Sequence, residues 1–368
     1  MLRRSSGDFI TQVFDRYAGR VAIFEIGSTP NRKKWSGFRP RRYLQAWQIA
    51  CEVAEGRDIT LGGPNIQDFE PIYNAEALFA MRRLARAPEI HTNNLFVERV
   101  IEPEAYDHRV MGRWATNLLK FNLIKKARLL NLLAEKAGCS QTFSTCKFWS
   151  VKRLRRWSAY PQDKKVDYLV RYLVLAATSG ALGRVYWGPM ICGRDGLVDN
   201  LADDYPVIDH SSFYKRVRGD VEDFTVTPAF FALGYVAQRL RGAYCDQAVS
   251  DANGISHVAF TGADGAVFHI CWARDGQAYW LKDLYSGEQL AAAVFTHACG
   301  KTVEFPGVLN ERPLFIDFPQ LVKPQAPEHL SAMKTKKAEI VFASLPGVQG
   351  LPWESRLWRG GFTATVEL

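Results

Sequence analysis

Little in this sequence points to metal, membrane or nucleotide chemistry. The seven His residues are scattered, with neither H-x-x-x-H nor H-x-H spacing, so no metal centre is expected from motifs. The seven cysteines (Cys51, Cys139, Cys146, Cys192, Cys245, Cys271 and Cys299) are odd in number and include no C-x-x-C pair. That pattern argues against a zinc site or a disulfide framework and for reduced thiols in a cytoplasmic protein. No run approaches the roughly 18 apolar residues of a membrane span, and the start, MLRRSSGDFITQVF, has no apolar signal core. There is no G-x-x-x-x-G-K-S/T loop, no strand-anchored G-x-G-x-x-G and no nucleophile elbow, so no cofactor is expected. Internal repeats and low-complexity segments are absent too.

What is present is ordinary globular composition. The chain has 368 residues, of which 47% are hydrophobic, enough for one large α/β domain or for a domain with an appendage. The net charge of +9 includes local runs at Arg39-Pro40-Arg41-Arg42, Lys125-Lys126 and Lys152 to Arg156. A basic surface attracts nucleic acid, anionic headgroups or phosphorylated glycans. No nucleic-acid module accompanies these runs, so nucleic acid is not an expected partner. Ten Trp and fourteen Tyr suit carbohydrate faces, although Trp is also a large core residue.

Strand and helix signals alternate through the first two-thirds. The spacing predicts helices over 8–18, 41–56, 75–87, 113–137, 164–179 and 228–241, and strands around residues 23, 60, 92, 144 and 186. Repeated strand–helix units with short connections indicate a parallel sheet covered by helices. From about Gly242 the texture changes to short runs such as HVAFTG, AVFHICWA and LAAAVFT between Gly, Asp and Asn turns, as in an antiparallel β domain. The expected organisation is an α/β domain at 1–241 and a β-rich domain at 242–368.

Four stretches then carry a family resemblance. FEIGSTPNRKKWSGF at 24–38, LGGPN at 61–65, FSTCKFW at 143–149 and the helix-to-strand stretch from Asp167 to Asp199 follow one another at sensible spacing. Together they resemble the retaining glycoside hydrolases of the large TIM-barrel clan, over roughly residues 8–240. The resemblance implies a (β/α)8 TIM-barrel-like fold and places Trp187 where a sugar would stack. In that clan a strand-end Asn-Glu supplies the acid/base, and a Glu ending a later strand is the nucleophile. Here Ser28-Thr29 stands at the first place and Cys146 at the second.

Retaining hydrolysis needs two carboxyl groups about 5 Å apart, and both are replaced. Thr29 reads as neutral filling or a sugar hydroxyl contact, Cys146 as a buried small hydrophobe, a cleft-lining thiol or a nucleophile. Displaced carboxylates are Asp68 and Glu70, then Glu98, Glu102 and Glu104, and Asp195, which is placed to pair with Arg194. Asp68 also reads as a turn cap. Glu25 lies one turn too early and reads as part of an internal ion pair. The binding set survives better: Asn31, Arg32, Trp35, Asn65, Asn93, Asn94, Trp149, Trp187 and Arg194. Amides and guanidinium forks bond sugar hydroxyls, while flat rings pack on a pyranose face. The plain alternatives are strand-end capping for the Asn residues and core packing for each Trp. His91 reads as a satisfied core or loop histidine.

Counting back from the motifs, the first three barrel strands have no sequence to occupy. Three readings stand: a start at an internal methionine of a longer product, a truncation completed by another chain, or an open α/β sheet. The functional expectation is a glycosidase-like protein that binds or helps process a bacterial cell-surface polysaccharide or lipopolysaccharide without standard retaining catalysis. Two alternatives stand beside it. One is an active glycosidase using displaced carboxylates; the other is a complex-forming protein whose open sheet edge docks a partner.

Overall fold

The computed structural model describes residues 2–37, 39–95, 102–105, 121–146, 150–156, 158–188, 190–192, 196–200, 221–250, 254–319 and 322. The chain divides into two compact units: Met1–Asp246 with Phe260–Gly265 and Ala298–Lys301, and Gln247–Ala259 with Ala266–His297 and Thr302–Leu368.

The first unit is a run of strand–helix pairs. After α1 (Leu2–Tyr17) come β1 (Ile23–Glu25), the short α2 (Lys33–Ser36), α3 (Pro40–Ala54), β2 (Thr60–Gln67), α4 (Pro71–Leu84) and β3 (Ile90–Asn94). There follow α5 (Leu123–Ala137), β4 (Gln141–Cys146), the short α6 (Val151–Leu154), α7 (Pro161–Thr178) and β5 (Arg184–Trp187). A small β6 (Val198–Asp199) and β7 (Thr225–Val226) precede α8 (Pro228–Leu240). Helices α3, α4, α7 and α8 all carry proline in their first turn. There the missing N–H costs nothing and the fixed φ favours helix. Helix α5 is capped by Asn122, whose side chain accepts from the Lys125 N–H, and stops at Gly138 with φ 98°.

All five large strands of this unit are parallel, in the order β1-β2-β3-β4-β5, and the sheet curls as half a barrel. They coincide with the five strands expected from the sequence. A closed eight-stranded barrel is not formed by the described residues; β1 pairs with β2 alone among them. Beside it a groove of about 380 Å³ is lined mainly by Phe9, Ile10, Val13, Phe24 and Ile26.

The helix-facing side of the sheet is set by packing. Leu61 joins Phe14, Tyr43, Trp47 and Met81 in one buried cluster. Gly63, on the same face, has no room for a side chain: a Cβ there would stand 2.9 Å from the Tyr43 hydroxyl. Alternation along the strand then puts Gly62, and beside it Glu25 and Ile90 in register, on the inner face. Helix α7 is buried nearly all round, including Arg171, which is fully enclosed.

The second unit is antiparallel. Strands β8 (Tyr244–Ser250), β9 (Ile255–Thr261), β10 (Val267–Ala273), β12 (Val294–His297), β13 (Thr302–Val303) and β15 (Leu314–Phe318) form a sheet in the order β13-β12-β15-β10-β9-β8. A second ribbon pairs β11 (Tyr279–Trp280) with β14 (Val308–Leu309). Tyr279, Leu281, Leu309 and Ile316 anchor its core. One expectation is corrected here: LAAAVFT is not a continuous strand. Its first residues close helix α9 (Gly287–Ala292) before β12 begins. The cause is local, since Ser286 and Gln289 form a reciprocal capping box that nucleates helix.

Candidate functional site at the strand ends

The loops after β1 and β2 are built against one another. Thr29 has φ 49°, Asn65 φ 49° and Asp68 φ 64°, a left-handed backbone that residues with a Cβ seldom adopt, least of all β-branched Thr. The Thr29 N–H donates to the Asn65 carbonyl at 2.9 Å. Asn31 clasps β2 both ways: its Nδ2 donates to the Gln67 carbonyl (2.9 Å) and its Oδ1 accepts from the Gln67 N–H (3.0 Å). Arg32 Nη2 lies 2.7 Å from Asp68 Oδ2 and 2.7 Å from Glu70 Oε1. The Asp68 hydrogen bond, with the nearby Glu70 charge, raises the Arg32 pKa against modest desolvation. Asp68 is thus an ion-pair partner of Arg32, where the sequence also allowed a turn cap. The two displaced carboxylates and the expected sugar-binding arginine engage each other.

Glu25 differs from its expected role. Its hydrogen-bond partner among the described residues is the Asn65 amide, 2.6 Å from Oε1, rather than a cation. The residue as a whole is exposed, yet desolvation of its carboxyl outweighs hydrogen bonding and raises its pKa. The FEIG stretch marked this carboxyl as an ion-pair member and could not show its amide partner, which lies 40 residues away.

Further along the rim, Asn93 and Asn94 end β3 and are buried, and neither amide atom of Asn93 has a partner among the described residues. His91 points to the helix side. Asn74 Nδ2 donates to the Glu70 carbonyl, so Asn74 Oδ1 faces His91 Nε2 at 2.8 Å and the imidazole proton sits on Nε2. Burial pushes the His91 pKa down to about 3. Trp187 ends β5, with the ammonium of Lys165 from α7 6.0 Å over its ring. Lys165 itself donates to the Gly196 carbonyl. Glu102 and Glu104 converge on Arg171, Glu104 through two hydrogen bonds of 2.9 and 2.6 Å. Trp149, Arg194, Asp195 and Glu98 lie outside the described residues, as do the side chains of Trp35 and Cys146.

Among the described residues, no group of three or more His, Cys, Asp or Glu is placed to hold a metal ion. The cysteines described there are free thiols, and no described helix is long and apolar enough to cross a membrane.

No protein-family model matches the chain, and no curated protein matches it. Solved structures do. A conserved exported protein from Bacteroides fragilis is similar with a TM-score of 0.52 at 8% identity, over 85% of this chain and 70% of its own. The catalytic domain of GH30 xylanase C from Talaromyces cellulolyticus follows with a TM-score of 0.49 at 9% identity, over 86% and 67%. The GH51 arabinofuranosidase from Xanthomonas axonopodis pv. citri gives 0.43 at 8%, over 81% and 66%. At such identities the first likeness concerns the fold alone, and the two under 0.5 carry no argument. The chain spans about two thirds of the length of the arabinofuranosidase and the xylanase domain.

Proposed function

We propose that this chain handles a carbohydrate at the strand-end loops of its parallel sheet, as a glycosidase-like protein without retaining double displacement. One observation carries the reading. The loop after β1 is held in a strained, doubly pinned conformation, yet Thr29 stands where the sequence resemblance puts the acid/base carboxylate. Strain of this kind persists where surrounding structure enforces it, and it gathers at ligand sites. A threonine hydroxyl does not deliver a proton at neutral pH. The nearest replacements, Asp68 and Glu70, are both engaged by Arg32.

Amides at the strand-end loops, such as Asn65 and Asn31, would supply donors and acceptors to sugar hydroxyls. The +9 charge suits an acidic or phosphorylated glycan. The resemblance suggests a bacterial cell-surface polysaccharide or lipopolysaccharide. An added strand at the β1 edge, from a partner or from an upstream segment, is compatible with this role.

One observation favours a second reading, an active glycosidase with a relocated acid. Glu25 lies on the inner face with its pKa raised by desolvation, and a raised carboxyl pKa is the direction that general acid catalysis uses. A glycan array and single-turnover hydrolysis of an aryl glycoside panel decide between the two. Binding without turnover supports the first reading. Turnover that disappears in Glu25→Gln or Glu70→Gln overturns it.

A further inference from the structure

We propose that His257, His269 and Tyr285 form a binding site for a first-row transition metal ion inside the β unit, with Cys271 beside it. This site is independent of the glycan reading. His257 lies on β9. His269 and Cys271 are two apart on β10 and so share a face of the sheet, and Tyr285 follows a short 3-10 turn, Leu281–Asp283. All four are buried, the most accessible being Tyr285 at 3%. Counting only His, Cys and carboxylates, the group falls short of a metal site; what joins the two imidazoles is a phenol.

The geometry is close to that of ligands on one face of an octahedron. His257 Nε2 is 2.9 Å from His269 Nδ1, and Tyr285 Oη is 2.8 Å from each nitrogen. Donors about 2.0–2.1 Å from a metal and at right angles to one another stand about 2.9 Å apart. Cys271 Sγ is 3.3 Å from the phenol oxygen, next in reach. Imidazole nitrogens with an oxygen and a soft sulfur suit ions such as Zn, Co or Cu rather than Mg or Ca.

Proton counting gives an independent argument. The Val322 carbonyl can only accept, so the His269 Nε2–H donates to it at 2.9 Å and His269 Nδ1 faces the cluster bare. A second nitrogen tied to a backbone carbonyl is how metal-binding histidines are commonly oriented. Within the triangle, three contacts then share at most two protons, the Tyr285 O–H and one N–H of His257. A buried polar network that is incompletely satisfied is costly, and a divalent cation satisfies all three lone pairs at once. On binding, the phenol proton leaves to solvent as the metal–oxygen bond forms. The remaining proton of His257 then resides on Nδ1, which is buried without a partner among the described residues.

A site this deep is filled as the unit folds, so the full chain is expressed in medium supplemented with Co2+, and in parallel with Zn2+, then desalted. Metal per chain is measured by mass spectrometry, with the visible spectrum and melting curve of the Co2+ form. The expected result is about one Co2+ per chain, a phenolate-to-metal absorption band, and a melting temperature that falls when a chelator strips the ion. Tyr285→Phe, which keeps the ring and its packing, and His257→Gln should each lower bound metal at least ~10-fold. Folded wild-type chain with less than about a tenth of an ion per molecule overturns the proposal. So does undiminished metal in Tyr285→Phe, which also decides the matter if His257→Gln fails to fold.

Discussion

In the parallel-sheet unit, Asn93 at the end of β3 buries both amide atoms without a partner among the described residues, and Asn65 Oδ1, His91 Nδ1 and Thr142 Oγ1, the last two near the strand starts, are in the same state. In the β unit the buried polar groups instead meet one another: His269 engages both ring nitrogens and Tyr285 meets three neighbours within 3.3 Å, although His257 Nδ1 has no partner among the described residues. Both regions bury polar groups, which is costly unless they are bonded. The α/β unit scatters its unpartnered atoms singly, Asn65 beside the strand-end loops among them; the β unit gathers its polar groups into one cluster among apolar rings such as Phe318. A single amide beside a loop suits an exchangeable ligand, and a buried cluster suits a permanent one.

The largest expected effect lies in the scaffold of the α/β unit. Arg171→Ala leaves Glu102 and Glu104 facing each other without their guanidinium, and should cost about 3–5 kcal/mol in urea unfolding. If instead the loss is under about 1 kcal/mol, the buried pair does not organise that unit.

Acidification comes next. His91 is neutral in the fold, its pKa lowered by burial from 6.5 to about 3. Above pH 6.5 it is uncharged in both folded and unfolded states and contributes no pH dependence. As pH falls from about 6.5 towards 3, the unfolded chain takes up the proton first, so stability drops, by a few kcal/mol in all. Urea midpoints measured across that window should fall with a slope that His91→Gln flattens.

Relief of strain is smaller and has the opposite sign. Thr29→Gly removes a β-branched residue at φ 49° and should stabilise the chain by about 1 kcal/mol, provided glycine's extra freedom in the unfolded state does not absorb the gain. If glycan affinity falls in the same variant, the strain belongs to the site. Arg32→Ala should have the slightest effect on stability, roughly 1 kcal/mol or less, because the arginine side chain is 40% exposed and its ion pairs are screened. Its effect on glycan binding should be much larger, since Asp68 and Glu70 lose their common anchor. Equal loss of stability and binding would mean that the loop is only scaffolding.

Much of the fold was legible in local pattern. Gln141–Cys146 was placed as a strand directly after the Gly138 helix stop, and Pro228 opens a helix as proline at a first turn should, whereas the helix expected from 164 in fact begins at Pro161. The LAAAVFT stretch misled because apolar content alone does not separate a short helix from a strand; the capping residues before it do. The site was legible as a set of residue types and illegible as a set of partnerships. Arg32 and Asn31 were expected to face a sugar, whereas each is engaged with residues 36 positions onward. Glu25 was expected to meet a cation and meets an amide instead. The histidines of the β unit carried no recognisable spacing, since their meeting depends on the pairing of β9 with β10 and on a tyrosine beyond both.

By itself the sequence determined the alternation of strands and helices, the change to antiparallel texture after about Gly242, and which residue types, Thr29 and Cys146 among them, stand at the strand ends. These follow from periodicity, turn chemistry and residue identity, which act over a few residues. Only the tertiary structure decided which carboxylates Arg32 holds, that Glu25 meets the Asn65 amide, and that two imidazoles and a phenol converge in one core. Those outcomes rest on strand register, including the shift between Pro64 and Ile66 in β2, and a one-residue change of register sends a side chain to the opposite face of its sheet.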